Sequence, residues 1–278
     1  MPARPELTLD ACAVLNDGAR MPWLGLGVYQ VSGRNCQKAV AHALAFGYRH
    51  IDTAAFYDNE REVGRAVRDS GIARDRIFVV TKLWNSDHGY AAAIEACERS
   101  FEQLALGCID LYLIHWPEPK LRLESWRALG ELRRRGQCRS IGVSNYTVRH
   151  LEELMAHSDI VPAVNQVEFS PFLYQRELLE FCRRHRIQLE AYCPLTRGEK
   201  LADRTVVAVA RKHGKTPAQV LLRWALQHEV VIIPKSAQPA RIEENAALYD
   251  FALDAGDMAQ LEGLDRGFRT CWDPTSVR

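Results

Sequence analysis

The sequence has no long hydrophobic run and almost no excess of charge of either sign. No stretch approaches the ~18 apolar residues of a membrane-spanning helix. The 36 Lys and Arg residues balance 35 Asp and Glu residues, for a net charge of +1. This balance gives no overall field to attract nucleic acid or anionic lipid. Residues 1–6 lack the apolar segment of a signal peptide. We therefore predict a cytoplasmic protein that binds neither membrane nor nucleic acid.

The cysteines and histidines show no metal-binding pattern. The eight cysteines are scattered, with no C-x-x-C pair. No histidine lies at zinc-finger spacing, and the histidines have no ligand spacing among themselves. Scattered cysteines of this kind are typical of reduced thiols in a reducing compartment. No metal site is predicted.

Short apolar runs alternate with amphipathic helical patterns along the chain. Residues 7–21 predict a β-hairpin that turns at Asn16-Asp17-Gly18. Helical spacing of apolar residues predicts helices over 91–106 and 176–185. Thr216, Pro217 and Gln219 have the pattern of a capped helix start. Eight strand-like runs follow the hairpin, at 23–28, 50–53, 77–83, 110–116, 140–144, 163–167, 188–192 and 230–233.

This alternation of strands and helices indicates a parallel sheet with helical crossovers. Eight such units can close into a barrel, and an α/β barrel of about 250 residues commonly forms one domain. We predict an α/β protein, a (β/α)8 TIM barrel with an N-terminal β-hairpin, as a single domain over 1–278. An open, doubly wound sheet is the alternative.

Polar residues stand at the ends of three successive strand-like runs, where the active site of a parallel barrel lies. They are Asp52, Lys82 and His115, and Tyr57 follows Asp52 in the next loop. Taken singly, each has an ordinary structural explanation, as a helix cap, a solvated strand end, a core histidine or a packed ring. Together they predict a site that protonates an oxyanion as it forms.

Tyr57 is the predicted acid, and Lys82 is the predicted source of its acidity. An ammonium about 4 Å from a phenol contributes about 4 kcal/mol at an effective dielectric near 20, enough to lower the phenol pKa by about two to three units. Asp52 would hold Lys82 charged and oriented. His115 would orient a substrate carbonyl through a hydrogen bond.

Five separated motifs now resemble one family, the aldo-keto reductases. The resemblance spans about residues 21–248 and implies a (β/α)8 barrel that binds NADPH without a Rossmann fold. It implies a catalytic tetrad of Asp52, Tyr57, Lys82 and His115, with hydride transfer to a carbonyl carbon while the tyrosine protonates the oxygen. The motifs are RHIDTA at 49–54 with Tyr57, Asn59 and Glu60 after it, VTKLW at 80–84, DLYLIHWP at 110–117, IGVSN at 141–145 and IPKS at 233–236.

The same resemblance implies the cofactor contacts. Ser144, Asn145 and Gln166 would hold the nicotinamide carboxamide, and Tyr192 would stack on the nicotinamide ring. The remaining cofactor residues would be Gly27 and Val28 beside the nicotinamide, Leu195 after the Tyr192 strand, Lys235, Ser236 and Arg241 as a clamp on the 2′-phosphate, and Glu244 and Asn245 near the adenine. A clamp of Lys and Arg suits a phosphate dianion, so we predict NADPH over NADH.

Large aromatic residues are the candidates for the substrate wall. They are Tyr29, Trp84 and Trp116, with Trp272 of the C-terminal tail as an addition. The segments 117–125 and 195–204 look short beside those of relatives that use steroids or long aldehydes. The pattern is closer to compact, largely microbial reductases of small aldehydes, 2-oxoaldehydes such as methylglyoxal and keto-sugar acids such as diketogluconate. We predict a monomer that acts on a small carbonyl compound.

Two other interpretations remain from the sequence. The family also contains a cofactor-sensing channel subunit and a lens protein, so a regulatory or structural role on the same barrel is the alternative to an enzyme. A metal-dependent barrel hydrolase would need a cluster of ligands at the strand ends, and that pattern is absent.

The Gly25–Gly27 stretch lacks the third glycine of a dinucleotide fingerprint and is not interpreted as a Rossmann loop.

Overall fold

A β-hairpin and an eight-stranded sheet make up the strands of the protein. The computed structural model describes residues 8–278. The hairpin pairs β1 (Cys12–Val14) with β2 (Arg20–Pro22) in antiparallel register, Ala13 opposite Met21. The predicted hairpin is therefore confirmed. Residue 7, the start of its predicted range, and residues 1–6, on which the expectation of no signal peptide rests, lie outside the described residues.

The eight remaining strands are parallel and follow one another around the sheet in chain order. Bridges between Leu24 and Ile232 and between Gly27 and Lys235 join the first strand to the last, which closes the barrel. The predicted α/β barrel is confirmed, and the open sheet is wrong. The strands are β3 (Leu26–Gly27), β4 (His50–Asp52), β5 (Phe78–Leu83), β6 (Ile109–Ile114), β7 (Cys138–Ser144), β8 (Val164–Glu168), β9 (Gln188–Tyr192) and β10 (Val231–Ile232).

Helices connect the strands. One helix lies in each connection from β3 to β9, two lie between β9 and β10, and two follow β10. The predicted helix 91–106 is α3 (Tyr90–Leu104), which is followed by Ala105 in a left-handed conformation, and the helix predicted over 176–185 is α6 (Arg176–Arg184). The predicted helix start at Thr216 is confirmed, because Thr216 Oγ1 accepts from the Gln219 amide and Gln219 Oε1 from the Thr216 amide. The helices are α1 (Gly33–Phe46), α2 (Glu60–Asp69), α3 (Tyr90–Leu104), α4 (Arg122–Arg134), α5 (Val148–Ala156), α6 (Arg176–Arg184), α7 (Arg204–His213), α8 (Pro217–Gln227), α9 (Pro239–Ala246) and α10 (Ala255–Glu262).

The core has two layers. The larger one packs the helices against the outside of the barrel. The smaller one fills the end of the barrel where the strands begin, and the hairpin belongs to it through Ala13, Leu15 and Met21. The hairpin therefore covers that end of the barrel. Within residues 8–278, no helix has the length and apolarity needed to cross a bilayer.

Candidate active site

The alternation of side chains along three strands brings the candidate catalytic residues to the barrel axis. Phe78 and Val80 of β5 belong to the inner core, and Lys82 lies two residues further along, on the same face. Leu111 and Leu113 of β6 likewise precede His115. His50 precedes Asp52 in β4. Along each of these strands, the row of inward-facing side chains thus ends in a polar residue.

Lys82 and Asp52 form a buried ion pair. Lys82 Nζ lies 2.7 and 2.8 Å from the two Asp52 carboxylate oxygens and donates to the Thr53 carbonyl oxygen at 2.8 Å. The Lys82 side chain has no exposed surface, so its interpretation as a solvated strand end is wrong. Its ammonium lies 3.5 Å from the Tyr57 hydroxyl. Tyr57 itself ends a short 3-10 turn, Ala55–Tyr57, that follows β4.

The pKa of Tyr57 differs from the sequence expectation. Burial, together with the Asp52 carboxylate, raises the pKa of the phenol well above its ordinary value, where a lowered pKa was expected. Burial is the largest cause of the rise, and the Lys82 charge does not offset it because a carboxylate closer to the ammonium than the phenol neutralises that charge. Tyr57 therefore carries its proton at neutral pH.

His115 is a neutral donor beside the phenol. Burial, with the Lys82 charge adding to it, holds the pKa of His115 well below its ordinary value. A neutral imidazole has one N–H to donate and one nitrogen to accept. The ring lies edge-on to Tyr57 at 5.7 Å between centroids and to Trp84 at 5.1 Å.

A hydrogen-bonded row of polar groups lines the ends of β7, β8 and β9. Ser144 Oγ donates to the Gln166 carbonyl at 2.8 Å, and the Asn145 amide donates to the Ser144 hydroxyl and to the His115 carbonyl. The Tyr192 hydroxyl donates to Asn145 Oδ1 at 2.7 Å. The Gln166 amide nitrogen donates to both Asp52 and Glu190, which leaves its amide oxygen available as an acceptor.

Glu190 was missed by the sequence reasoning. It is fully buried in β9, and its pKa is raised to about 8 by burial, with the Asp52 carboxylate adding to that effect. Its carboxyl group fixes the orientation of the Gln166 amide. The strand alternation from Tyr192 back to Glu190 was the signal that could have found it.

A positively charged edge lies where α9 begins. Lys235 and Arg241 are exposed, and neither is in an ion pair with any described residue. Ser236 and Asn245 are buried beside them. Glu244 is partly engaged elsewhere, since it accepts from the Thr216 hydroxyl at 2.7 Å. Two unpaired cations at a helix start suit a phosphate group.

One cleft of about 1310 Å³ joins these groups. Of the predicted site residues, only Val28 and Lys82 do not line the cleft. Both are fully buried, Lys82 behind Asp52 and Tyr57. The predicted residues that line it are Asp52, Tyr57, His115, Gly27, Ser144, Asn145, Gln166, Tyr192, Leu195, Lys235, Ser236, Arg241, Glu244, Asn245, Tyr29, Trp84, Trp116 and Trp272.

The mouth of the cleft is aromatic. Phe56 stacks on Trp84 at 3.8 Å with the planes 16° apart, and Trp272 lies 5.6 Å from Trp116. Phe56 was missed, although its place next to Tyr57 in a loop was a usable signal. Further missed residues line the cleft, among them Cys193, Arg197, Arg269 and Cys271. No local pattern connects them.

Comparison with known proteins decides the family. The sequence model described as "Aldo/keto reductase family" matches residues 23–266. A glyoxal reductase from Bacillus subtilis is 48% identical over 95% of this chain and 96% of its own length. This chain belongs to the aldo/keto reductase family.

Solved structures agree with this assignment. An aldo/keto reductase from Brucella melitensis has a TM-score of 0.89 and 46% identity, over 91% of this chain and 99% of that one. A mutant of Gox0644 solved in complex with NADPH has a TM-score of 0.91 and 41% identity, over 96% and 98%. Family membership confirms the predictions of an oxidoreductase and of NADPH as its cofactor, and in general terms that of carbonyl reduction.

Proposed function

We propose that this reductase converts small aldehydes, 2-oxoaldehydes and keto-sugar acids to alcohols, with Tyr57 as the proton donor. The observation that carries the proposal is the position of the Tyr57 hydroxyl, which lines the cleft 3.5 Å from a lysine ammonium. The glyoxal reductase from Bacillus subtilis, 48% identical, supports a 2-oxoaldehyde as substrate.

The charged edge and the polar row fit the cofactor. Lys235 and Arg241 would hold the 2′-phosphate, with Ser236 beside them and Glu244 and Asn245 near the adenine. Gly27, Val28 and Leu195 would complete the cofactor wall, Val28 from behind it. The free oxygen of Gln166, with Ser144 and Asn145, would bind the carboxamide, and Tyr192 would stack on the nicotinamide. When bound, NADPH supplies the hydride.

The residues around Tyr57 would control the proton. Asp52 fixes Lys82, and Lys82 places an ammonium beside the phenol that stabilises the phenolate left after proton transfer. The neutral His115 ring would donate its N–H to the substrate oxygen and orient the carbonyl carbon. Tyr29, Trp84 and Trp116 would exclude water and hold the rest of the substrate.

The short loops before α4 and α7 favour a small substrate. The strand β6 ends at Ile114 and α4 begins at Arg122, so few residues are available to cover a large molecule. We also propose that the chain is one barrel domain over 1–278, and that it works as a monomer in the cytoplasm.

The test is NADPH consumption with glyoxal, methylglyoxal, a small aromatic aldehyde, a keto-sugar acid and a steroid ketone. We expect turnover of the small carbonyls, and we expect Tyr57→Phe to lower kcat by about 100- to 10,000-fold with little change in NADPH affinity, because it removes a proton donor. Tyr90→Phe, which removes a hydroxyl outside the cleft, is the matched control.

Two outcomes would redirect the proposal. Normal turnover by Tyr57→Phe would refute the role of Tyr57. Tight NADPH binding without turnover of any compound would favour the alternative, a cofactor-binding regulatory or structural protein on the same barrel.

A further inference from the structure

Two cysteines meet in the wall of the cleft. Cys193 follows Tyr192 at the end of β9, in a left-handed conformation with φ of 48°. Cys271 belongs to the C-terminal tail. Their Sγ atoms lie 3.8 Å apart, and both residues are free, partly exposed thiols that line the cleft. Sulfur atoms this close can reach bonding distance through side-chain rotation and a small shift of the tail.

The tail is held in this position by Glu168 at the end of β8. One carboxylate oxygen accepts from the Thr270 amide and the Thr270 hydroxyl, both at 2.6 Å, and the other accepts from the Cys271 amide at 3.2 Å. Cys271 is therefore placed by three hydrogen bonds to a buried side chain, so the approach of the two sulfurs is built into the fold.

The two thiols have different environments. Arg197 Nη2 donates to Cys271 Sγ at 3.2 Å. The hydrogen bond from Cys193 and the Arg197 charge lower the pKa of Cys271 to about 6, against the opposing effects of burial and Glu168. The same hydrogen bond and burial raise the pKa of Cys193. Cys271 is thus a thiolate near neutral pH, while Cys193 keeps its proton.

We propose that Cys193 and Cys271 are an oxidisable pair that closes into a disulfide in the wall of the cleft, with a peroxide as the oxidant. The Cys271 thiolate attacks the peroxide O–O bond, becomes a sulfenic acid and releases hydroxide, which takes up a proton. The Cys193 thiol then attacks the Cys271 sulfur, the S–OH bond breaks, and the thiol proton leaves with hydroxide as water. Two thiols are oxidised, and one hydrogen peroxide is reduced to two waters.

The bond would narrow the cleft. It would connect the tail, next to Trp272, to the loop that begins after Tyr192 and carries Arg197. Because both segments line the cleft, a covalent link between them restricts the opening through which the cofactor enters. This chemistry does not depend on the substrate or on the role proposed for Tyr57.

The first experiment counts thiols. The full chain, at low concentration, is treated with hydrogen peroxide, the excess is removed with catalase, and the unfolded protein is titrated with a thiol reagent. We expect the count to fall from eight to six, with dithiothreitol restoring eight and a mass loss of about 2 Da per chain. Peptide mapping should join the peptides that contain residues 193 and 271.

Single variants separate the two roles. Cys271→Ser should keep its seven thiols, because the attacking thiolate is gone. Cys193→Ser should lose one thiol and retain a sulfenic acid that dimedone traps. Cys108→Ser, which changes a half-buried cysteine outside the pair, should still lose two. These counts need no catalytic activity, so they test the pair independently of the proposed function.

The buried pair Cys97 and Cys138 is the internal control. Its Sγ atoms are 3.7 Å apart, but both residues are buried against the helices and lie outside the cleft. The proposal is overturned if the wild-type count stays at eight, if the linked peptides contain residues 97 and 138 or come from two chains, or if Cys271→Ser still loses two thiols.

A second experiment tests the effect on the cleft. NADPH association, followed by quenching of tryptophan fluorescence in a stopped-flow instrument, should be slower for the oxidised protein and recover after dithiothreitol. Equal association rates for the two forms would refute the closure of the cleft by this bond.

Discussion

At the scale of single residues, the main determinant of the site's electrostatics is how the Lys82 ammonium charge is divided among its oxygen partners. The ammonium is in contact with the Asp52 carboxylate and the Thr53 carbonyl, and the Tyr57 phenol is its most distant oxygen partner. The ion pair is buried and costs desolvation free energy that only close geometry compensates. The lysine therefore does little to acidify the free phenol. Its ammonium instead stabilises the phenolate that proton transfer creates.

A prediction at this scale concerns Lys235 and Arg241. The double variant Lys235→Ala and Arg241→Ala should raise the Kd of NADPH by at least about 100-fold, since each charge-assisted hydrogen bond contributes about 1.5–3 kcal/mol. The Kd of NADH should change little, because NADH lacks the 2′-phosphate. Fluorescence titration with both cofactors measures this. Lys38→Ala, an exposed lysine on α1, is the control. Equal losses for NADPH and NADH would place the clamp elsewhere.

At the scale of elements, a close backbone contact joins α2 to α3. The helices α2 and α3 approach closely at Gly64, where an added Cβ would lie 2.0 Å from the Leu104 carbonyl oxygen. That carbonyl, near the end of α3, also accepts from Arg68 at 2.6 Å. The backbone contact leaves no room for a side chain, so the glycine is required by packing and not by its own conformation.

We therefore expect Gly64→Ala to lower the free energy of unfolding by about 1–3 kcal/mol, because overpacking outweighs the gain in helix propensity. Urea denaturation measures the difference. Gly130→Ala in α4 is the matched control, since its added Cβ would meet only the flexible end of Ile160. A destabilisation by Gly130→Ala equal to that by Gly64→Ala would contradict this account.

The loop between β5 and α3 provides a pH-dependent contact with α4. His88 Nδ1 lies 3.0 Å from the Ser125 hydroxyl, which also accepts from the Gly89 amide. Burial, against the opposing influence of Glu118 and Asp87, lowers the pKa of His88 to about 4. In the unfolded chain His88 takes up a proton near its ordinary pKa of about 6.5. Its contribution to stability is therefore complete at pH 7 and is lost as the pH falls from about 6.5 to 4.

The prediction compares the wild type with His88→Gln. Between pH 7 and pH 5, the wild type should lose about 2 kcal/mol more free energy of unfolding than the variant, because only the wild-type unfolded chain gains this proton. Urea denaturation at both pH values gives the difference. The same pH dependence in the two proteins would mean that His88 titrates normally in the folded state.

At the scale of the whole molecule, the barrel could be predicted from the sequence because the patterns that indicate it are local. Apolar runs of strand length and amphipathic helices alternate, and polar residues at the ends of three of these runs are Asp52, Lys82 and His115. The prediction of a lowered Tyr57 pKa was wrong, because the sequence gives no distances with which to rank Asp52 and Tyr57 as partners of the Lys82 ammonium. The contact between Cys193 and Cys271 was missed for a related reason, since only the closed barrel and the Glu168 anchor bring these segments together.

The closure of the barrel has a consequence for folding. Neighbouring strands are also neighbours along the chain, except where Gly27 meets Lys235, at the seam between the first and last strands. The seam joins segments near opposite ends of the chain, so its loop-closure entropy is the largest of any strand pair, and we expect it to form late in folding. Both seam residues line the cleft. A chain with an open seam has no complete cleft, so NADPH bound as proposed at Gly27 and Lys235 would stabilise the closed ring against opening by mass action.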